Sequence, residues 1–342
     1  MKIKGIGCSM PDHIVTNEAI LNHVLKISEP YLHNGDSEKV ATTIKALFRL
    51  SGSKERRCRQ NGERAYDFAA NAVQKALDHA EMKPTDIDLL MYVGVGRGWV
   101  EPGMAPFFLH KFGMSNATGF DILDACLSWM RALHIGYHFI KNGVYKNIMV
   151  LNAEFNYEYH APIKNPDEVC FRFAQLTIGE SATATVLSQG DNGFIPHFEF
   201  KTDASQHGLC KIPLPNINSY SDAERCPELD PLIFFAYSAE LFNMAKSMIP
   251  ELYLSSPELQ KRNCDIAFSH SASKSLIDSL AKQLNFEDKA VNVFPQFGNT
   301  VSASIPTAMC WALDQGRMKR DMEMKLFMGS AGFSAGICHL LY

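Results

Sequence analysis

The stretch Gly119-Phe-Asp-Ile-Leu-Asp-Ala-Cys-Leu-Ser-Trp-Met-Arg-Ala-Leu-His-Ile-Gly-Tyr-His-Phe-Ile140, followed by Asn147-Ile-Met-Val-Leu-Asn-Ala153, decides how the rest of the chain is read. Residues 119–125 read as a strand, 127–140 as an apolar helix and 147–153 as a second strand. The alternation continues both ways. Upstream, Ala65, Phe68, Ala69, Ala72, Ala76 and Leu77 share one face of a helix over 64–80, and Pro84 marks the exit toward a strand at 87–93. Downstream, the pattern predicts strands at 182–187, 265–269, 325–328 and 335–341, and helices at 239–248, 272–284 and 302–314, with a Pro- and Asn-rich stretch over 213–228. Apolar strands separated by helices predict the α/β class, with largely parallel sheets covered on both faces. At 342 residues the chain is about twice a typical domain, which allows two α/β halves, 1–190 and 191–342, in one continuous body.

Composition narrows the function classes. Hydrophobic residues make up 46% and charged residues 20%, which excludes a fibre or a disordered tail. Lys and Arg number 33 against 37 Asp and Glu, so no strongly basic nucleic-acid surface is implied. The opening residues are too poor in apolar side chains for a signal peptide, and no run approaches the roughly 18 apolar residues of a membrane span. The expectation is a cytoplasmic protein with no membrane partner. Nine cysteines make an odd number with no Cys-x-x-Cys pair, so neither a disulfide framework nor a zinc site is expected. His134 and His138, four apart on the helix, read as packed side chains rather than a metal pair. Gly94-Val-Gly96-Arg-Gly98 leads into Trp99-Val-Glu-Pro102 without a helix start, so it is not read as a dinucleotide loop.

Three positions carry chemistry. Cys126 follows a strand and opens a helix, where unpaired N–H groups and the macrodipole favour a thiolate. His270 ends the strand at 265–269 on its carboxyl edge, where open α/β sheets collect ligands. Asn299 lies in Gly298-Asn-Thr-Val-Ser-Ala-Ser-Ile-Pro306, where a tight turn presents an amide before a closely packed helix. Taken singly, each fits a structural role as well: a core cysteine, a lone histidine, a helix cap.

Together these segments, with the terminal Gly329-Ser-Ala-Gly-Phe-Ser-Ala-Gly336, resemble the beta-ketoacyl-ACP synthase III branch of the thiolase superfamily. The likeness runs nearly end to end and includes Gly-Ile-Gly-Cys-Ser-Met-Pro11, Gly52-Ser-Lys-Glu-Arg56 and Gly316-Arg317-Met-Lys319. It implies a five-layer αβαβα body with duplicated halves, usually a homodimer. It also implies acyl transfer from coenzyme A or carrier-protein thioesters to the Cys126 sulfur, then decarboxylative condensation with a malonyl-type thioester, with no tightly bound cofactor and no metal. The backbone N–H of Cys126 and one from the Ala331-Gly332 turn would hold the first oxyanion; His270 Nε2 and the Asn299 amide would hold the second. Acyl transfer to an alcohol or amine needs only a nucleophile and a base, so Asn299 favours carbon–carbon bond formation.

Several positions depart from the family pattern. Ala46 and Leu50 stand where members place a Trp and an Arg that grip coenzyme A, although Arg172 matches an arginine that contacts the nucleotide. Ser271-Ala272-Ser273-Lys274 replaces Gln-Ala-Asn and a carrier-binding Arg, keeping the charge on Lys274. Glu101 aligns with a Phe that lines the acyl pocket across the dimer interface; the favoured arrangement turns Trp99 inward and Glu101 to water. Asp124 replaces a small apolar residue, and a carboxylate there opposes thiolate formation. These changes point to a specialised, secondary-metabolite enzyme loaded by an acidic acyl carrier protein. Lys54, Arg56, Arg57 and Arg59, with Arg317, Lys319 and Arg320, are the candidate docking cations. Two rival readings share the fold: an acyltransferase forming esters or amides, and a non-catalytic partner subunit of a condensing heterodimer.

Overall fold

The computed structural model describes residues 1–33, 35–155, 160–190, 193–220 and 231–342; Cys226 and part of the Pro- and Asn-rich stretch lie outside the described residues. Within them, ten strands build two sheets: β1 Lys2–Ser9, β2 Leu89–Val93, β3 Thr118–Ile122, β4 Asn147–Glu154, β5 Ser181–Ser188, β6 His197–Thr202, β7 Ile266–Ser269, β8 Ala290–Val291, β9 Glu323–Ser330 and β10 Ser334–Leu341. The first sheet has the order β1-β5-β4-β2-β3 and the second β6-β10-β9-β7-β8. Counted along the chain, both therefore run first, fifth, fourth, second, third. Strand directions repeat too: the first and fifth, and the fifth and fourth, are antiparallel, while the fourth, second and third run parallel. The sheets are thus mixed rather than largely parallel, because the fifth strand of each set runs antiparallel to both of its neighbours.

The main helices are α1 Asn17–Ser28, α2 Asp36–Ser51, α3 Ala65–Ala80, α4 Ser128–Lys141, α5 Ser238–Leu254, α6 Lys274–Gln283 and α7 Ser304–Asp314. α3 covers the outer face of the first sheet on β1, β4 and β5, and α5 covers β6, β9 and β10, with α6 beside it. Between the sheets lie α4, against β2 and β4, and α7, against β1, β5 and β7. One apolar cluster runs through this middle layer, from Val93 and Val150 through Leu133, Ile305 and Met309 to Phe268 and Leu326. This is the five-layer arrangement the resemblance implies.

Element bounds differ from the sequence pattern where tertiary contacts prevail. α5 continues through Pro250 to Leu254 instead of stopping at 248, because Ile249, Pro250, Leu252 and Tyr253 are all buried and hold the last turns in place despite the missing N–H. β3 ends at Ile122, three residues early, because the backbone turns at Ala125 with φ of 45°. The helices α1 and α2 carry no strong sequence signal; they pack with the 163–176 segment in a separate apolar cluster around Ile20, Ile44 and Phe173. No helix among the described residues is long and apolar enough to cross a membrane.

The seating of α3 on β1 depends on two missing side chains. A Cβ on Gly5 would lie 2.3 Å from the Ala76 carbonyl oxygen, and one on Gly7 2.3 Å from that of Ala72. Both obstacles are backbone atoms of a helix pinned by buried Ala69, Ala72, Ala76 and Leu77, so neither yields easily. Gly7→Ala is expected to lower unfolding free energy by about 2 kcal/mol or more, read from urea midpoints at constant m-value; an unchanged midpoint would refute this packing.

Candidate active site

Cys126 lies neither at the strand end nor in the helix but in a 3₁₀ turn, Ala125–Leu127, between β3 and α4. Local bonds shape the turn: Asp124 N–H donates to Ser128 Oγ at 2.8 Å, and Ser128 Oγ donates to the Ala125 carbonyl at 2.7 Å. The second sheet completes it. Leu127 N–H donates to Ser330 Oγ at 3.2 Å, and Ser330 Oγ donates to the Asp124 carbonyl at 3.2 Å. Ser330 directly precedes the Ala331-Gly332 turn, where Gly332 takes φ of 118°. The Asp124 carboxylate accepts from Arg131 Nε at 2.9 Å, and that guanidinium stacks 4.0 Å from the centre of the Phe200 ring.

The Cys126 thiol is partly covered by area yet deep among neighbouring atoms, and burial pushes its pKa well above the usual thiol value. Cys210, Glu154 and, less strongly, Asp124 push the same way, and only its own amide opposes them. The expected thiolate is therefore not the resting state. The helix proper starts two residues later, at Ser128, and a terminal dipole worth roughly 0.3–1 kcal/mol does not outweigh desolvation.

His270 follows β7 directly, its N–H donating to the Phe327 carbonyl at 2.9 Å. It is buried, its Nδ1 lies 2.8 Å from Ser304 Oγ, and burial lowers its pKa to about 4, so the imidazole is neutral near pH 7. Asn299 sits in a loop laid against the 177–179 segment: its N–H donates to Thr177 O at 2.8 Å, and its carbonyl accepts from Gly179 N–H at 3.0 Å. Gly298 is required there, since a Cβ would lie 2.4 Å from Thr177 O. The Asn299 Oδ1 accepts from Val301 N–H at 2.9 Å, which leaves the amide NH₂ as the outward donor. The next turn, Val301–Ala303, packs on the Cys126 turn, and Ser304 reaches His270. The segments bearing Cys126, Asn299, His270 and Ser330 therefore form one connected set.

Sequence reasoning missed the carboxylate behind this set. Glu154, buried at the end of β4, accepts from Gly96 N–H at 2.7 Å, Val95 N–H at 3.1 Å, and both the N–H and the hydroxyl of Ser302. Gly94, with φ of 106°, makes room for it: a Cβ would fall 2.2 Å from Glu154 Oε1. The Gly94-Val-Gly96 run, set aside above as a dinucleotide loop, instead admits a side-chain carboxylate. Nothing in the sequence around Glu154 identified the partner.

The outlying positions separate into groups. Arg56 is fully buried and donates to Val15 O, Asn17 Oδ1, Ser53 Oγ and Leu176 O, so it braces the fold and is not a docking or substrate-binding cation. Arg59 pairs with buried Glu180 at 3.3 Å and Arg57 donates to Asp12 O at 2.8 Å, so the first basic patch is largely committed to internal contacts; Arg320 donates to Ile3 O at 2.6 Å. Lys54 and all of Arg317, Lys319 and Arg320 remain exposed. Arg172 is buried and donates to Pro162 O at 3.1 Å. Lys274 pairs with Asp278 and lies against the Gly52 turn. Glu101 faces solvent, and Trp99, 39% exposed, meets Phe107 edge-on. A hollow of about 490 Å³ between α1 and α2, lined by residues such as Asn17, Lys45, Phe48 and Arg49, includes none of Cys126, His270 and Asn299. Among the described residues no three His, Cys, Asp or Glu side chains are grouped to hold a metal ion.

Two family profiles match the chain: 3-oxoacyl-[acyl-carrier-protein (ACP)] synthase III over residues 120–204, and the C-terminal region of that enzyme over residues 254–342. Beta-ketoacyl-[acyl-carrier-protein] synthase III of Neisseria meningitidis is 27% identical, with 100% of this chain and 99% of that protein covered. The Fusobacterium nucleatum enzyme of the same name is 24% identical, with 98% and 96% covered. Among solved structures, 3-oxoacyl-[acyl-carrier-protein] synthase III from Aquifex aeolicus superposes with a TM-score of 0.79 at 24% identity, covering 100% of this chain and 99% of that one. Xanthomonas campestris OleA with bound lauric acid and lauroyl-CoA gives 0.83 at 19% identity, covering 100% and 98%. At such identities the superpositions speak for the fold.

The depressed pKa of His270 has a thermodynamic consequence. Between its ordinary value near 6.5 and its folded value of about 4, the unfolded chain binds a proton that the folded one refuses. The neutral imidazole thus contributes stability above pH 6.5 that is lost as pH falls toward 4, about 2–3 kcal/mol by pH 4.5. His270→Asn should remove this part of the acid dependence, so its urea-derived stability should fall less steeply than wild type between pH 7.5 and 4.5. Parallel curves would contradict the burial argument.

Proposed function

We propose that this chain, which belongs to the 3-oxoacyl-[acyl-carrier-protein] synthase III family of thiolase-superfamily condensing enzymes, carries an acyl group on Cys126 and joins it to a malonyl-type thioester with loss of carbon dioxide. In this reading residues 1–190 form the half bearing the nucleophile and 191–342 the half bearing His270 and Asn299. Cys126 Sγ attacks the acyl thioester carbonyl, and the thiol proton leaves with the departing thiol. The oxyanion of that step is held by the N–H of Cys126 and one from the Ala331-Gly332 turn. The second thioester then loses carbon dioxide, and the electron pair of the broken bond passes into an enolate whose oxygen accepts from His270 Nε2 and the Asn299 amide. The carbanion attacks the acyl carbon, and the released sulfur regains a proton from solvent.

One observation supports this reading above the rest. The Asn299 oxygen already accepts from Val301 N–H, beside a histidine that burial keeps neutral, so the amide NH₂ is disposed to donate to an anion. An enolate needs donors; acyl transfer to an alcohol needs a base. The departures at Ala46, Leu50, Ser271 and Glu101 support a specialised substrate over acetyl-CoA priming. A carrier protein would meet the exposed cations beside the Gly52 turn, Lys54 and Lys274, rather than Arg56. The same reading has the enzyme work in the cytoplasm as a dimer of two copies: β3 closes one edge of its sheet, with Phe120 39% and Leu123 66% exposed along it.

Intact-mass analysis after exposure to a panel of acyl thioesters should show one acyl adduct on the wild type and none on Cys126→Ala. The loaded enzyme given a malonyl thioester should release carbon dioxide and a product extended by two carbons. Asn299→Ala should load normally while carbon dioxide release falls about 10²- to 10³-fold. An ester or amide product, or carbon–carbon bond formation without carbon dioxide, would overturn the decarboxylative step.

A further inference from the structure

The contact between His270 and Ser304 determines which ring nitrogen carries the proton. Both side chains are buried, Ser304 completely, and Nδ1 lies 2.8 Å from the hydroxyl oxygen. A neutral imidazole has one N–H and one lone pair, and a serine hydroxyl has one proton to give. Among the described residues the Ser304 hydroxyl has no other hydrogen-bond partner, so its proton is satisfied only by pointing at Nδ1. A buried hydroxyl left without an acceptor is costly, roughly 1–3 kcal/mol, and that cost disfavours the reverse arrangement, in which Nδ1–H donates to Ser304 and the hydroxyl proton has nowhere to go. The loop that presents Asn299 runs through the Val301–Ala303 turn into Ser304, the first residue of α7. One six-residue segment thus occupies the acceptor of both groups, through Val301 N–H on Asn299 and through the Ser304 hydroxyl on His270.

We infer that Ser304 is a positioning residue that selects the Nε2–H tautomer of His270, making the imidazole a hydrogen-bond donor to the substrate and denying it the lone pair of a general base at that atom. The inference rests on the proposed condensation for its functional meaning, but the tautomer is a property of the free protein. ¹⁵N-histidine spectra of the wild type at pH 7, with the His270 signals identified by their loss in His270→Asn, should show a hydrogen-bonded lone pair at Nδ1 and a proton at Nε2. Ser304→Ala should load Cys126 within about twofold of wild type yet lose about tenfold to a hundredfold in carbon dioxide release from the malonyl thioester. Ser304→Thr, which keeps the hydroxyl, should restore most of that loss. A proton on Nδ1 in the wild type overturns the inference, as does an alanine variant with undiminished carbon dioxide release. If the wild type shows the Nε2–H form but never releases carbon dioxide, the tautomer assignment stands and the decarboxylative reading falls instead, so the two failures are distinct.

Discussion

The candidate site is arranged around one buried carboxyl group, that of Glu154, which water does not reach. The described hydrogen-bond partners of Glu154, the backbone of residues 95 and 96 and both polar groups of Ser302, all donate. Burial raises the Glu154 pKa, and these donors oppose that shift. The carboxyl group ties the end of β4 to the glycine loop after β2 and to the loop that presents Asn299. Asn152 extends the network by donating to Ser302 Oγ at 2.7 Å and accepting from Thr183 at 3.0 Å. A cluster of this kind fixes geometry more than it adds stability, since its desolvation cost offsets much of its attraction. It also helps to explain why the nearby thiol rests protonated.

The repeated strand order gives the two sheets equivalent ends, and the proposed chemistry divides between them. The Cys126 turn leaves the third strand of the first sheet; His270 leaves the second strand of the other, and Ser330, which braces the Cys126 turn, ends its fourth. Neither sheet holds a complete centre. Bonds across the seam, Leu127 N–H to the Ser330 hydroxyl and Asn299 N–H to the Thr177 carbonyl, start from backbone donors, so the relative placement of the two sheets helps to set the site.

Much of this was legible in the sequence because strand ends advertise themselves. Cys126, His270 and Asn299 each stand where an apolar run stops, and the small residues after Asn299 signalled close helix packing. What escaped depended on distant contacts. Arg56 looks like a surface cation in a basic run, yet four acceptors from remote segments draw it inside. Pro250 reads as a helix stop, and only the buried residues around it show why the helix continues. The thiol's character was misjudged because the helix dipole is a local property, whereas desolvation depends on which chain segments fold over it. The individual bonds of Ser302, Ser304 and Ser330 carry no signal, since a buried serine and a surface serine look alike in one dimension.

The middle layer also binds the fate of one sheet to that of the other. Gly336 of β10 offers no side chain, and the space it leaves is filled by Leu127 and Met130 of the other half; an added Cβ would sit 2.7 Å from the leucine. The inner surface of the second sheet is thus shaped to the segment packed on it. Removing either sheet would turn the apolar residues of this shared layer to water, so the two sheets stand or fall together.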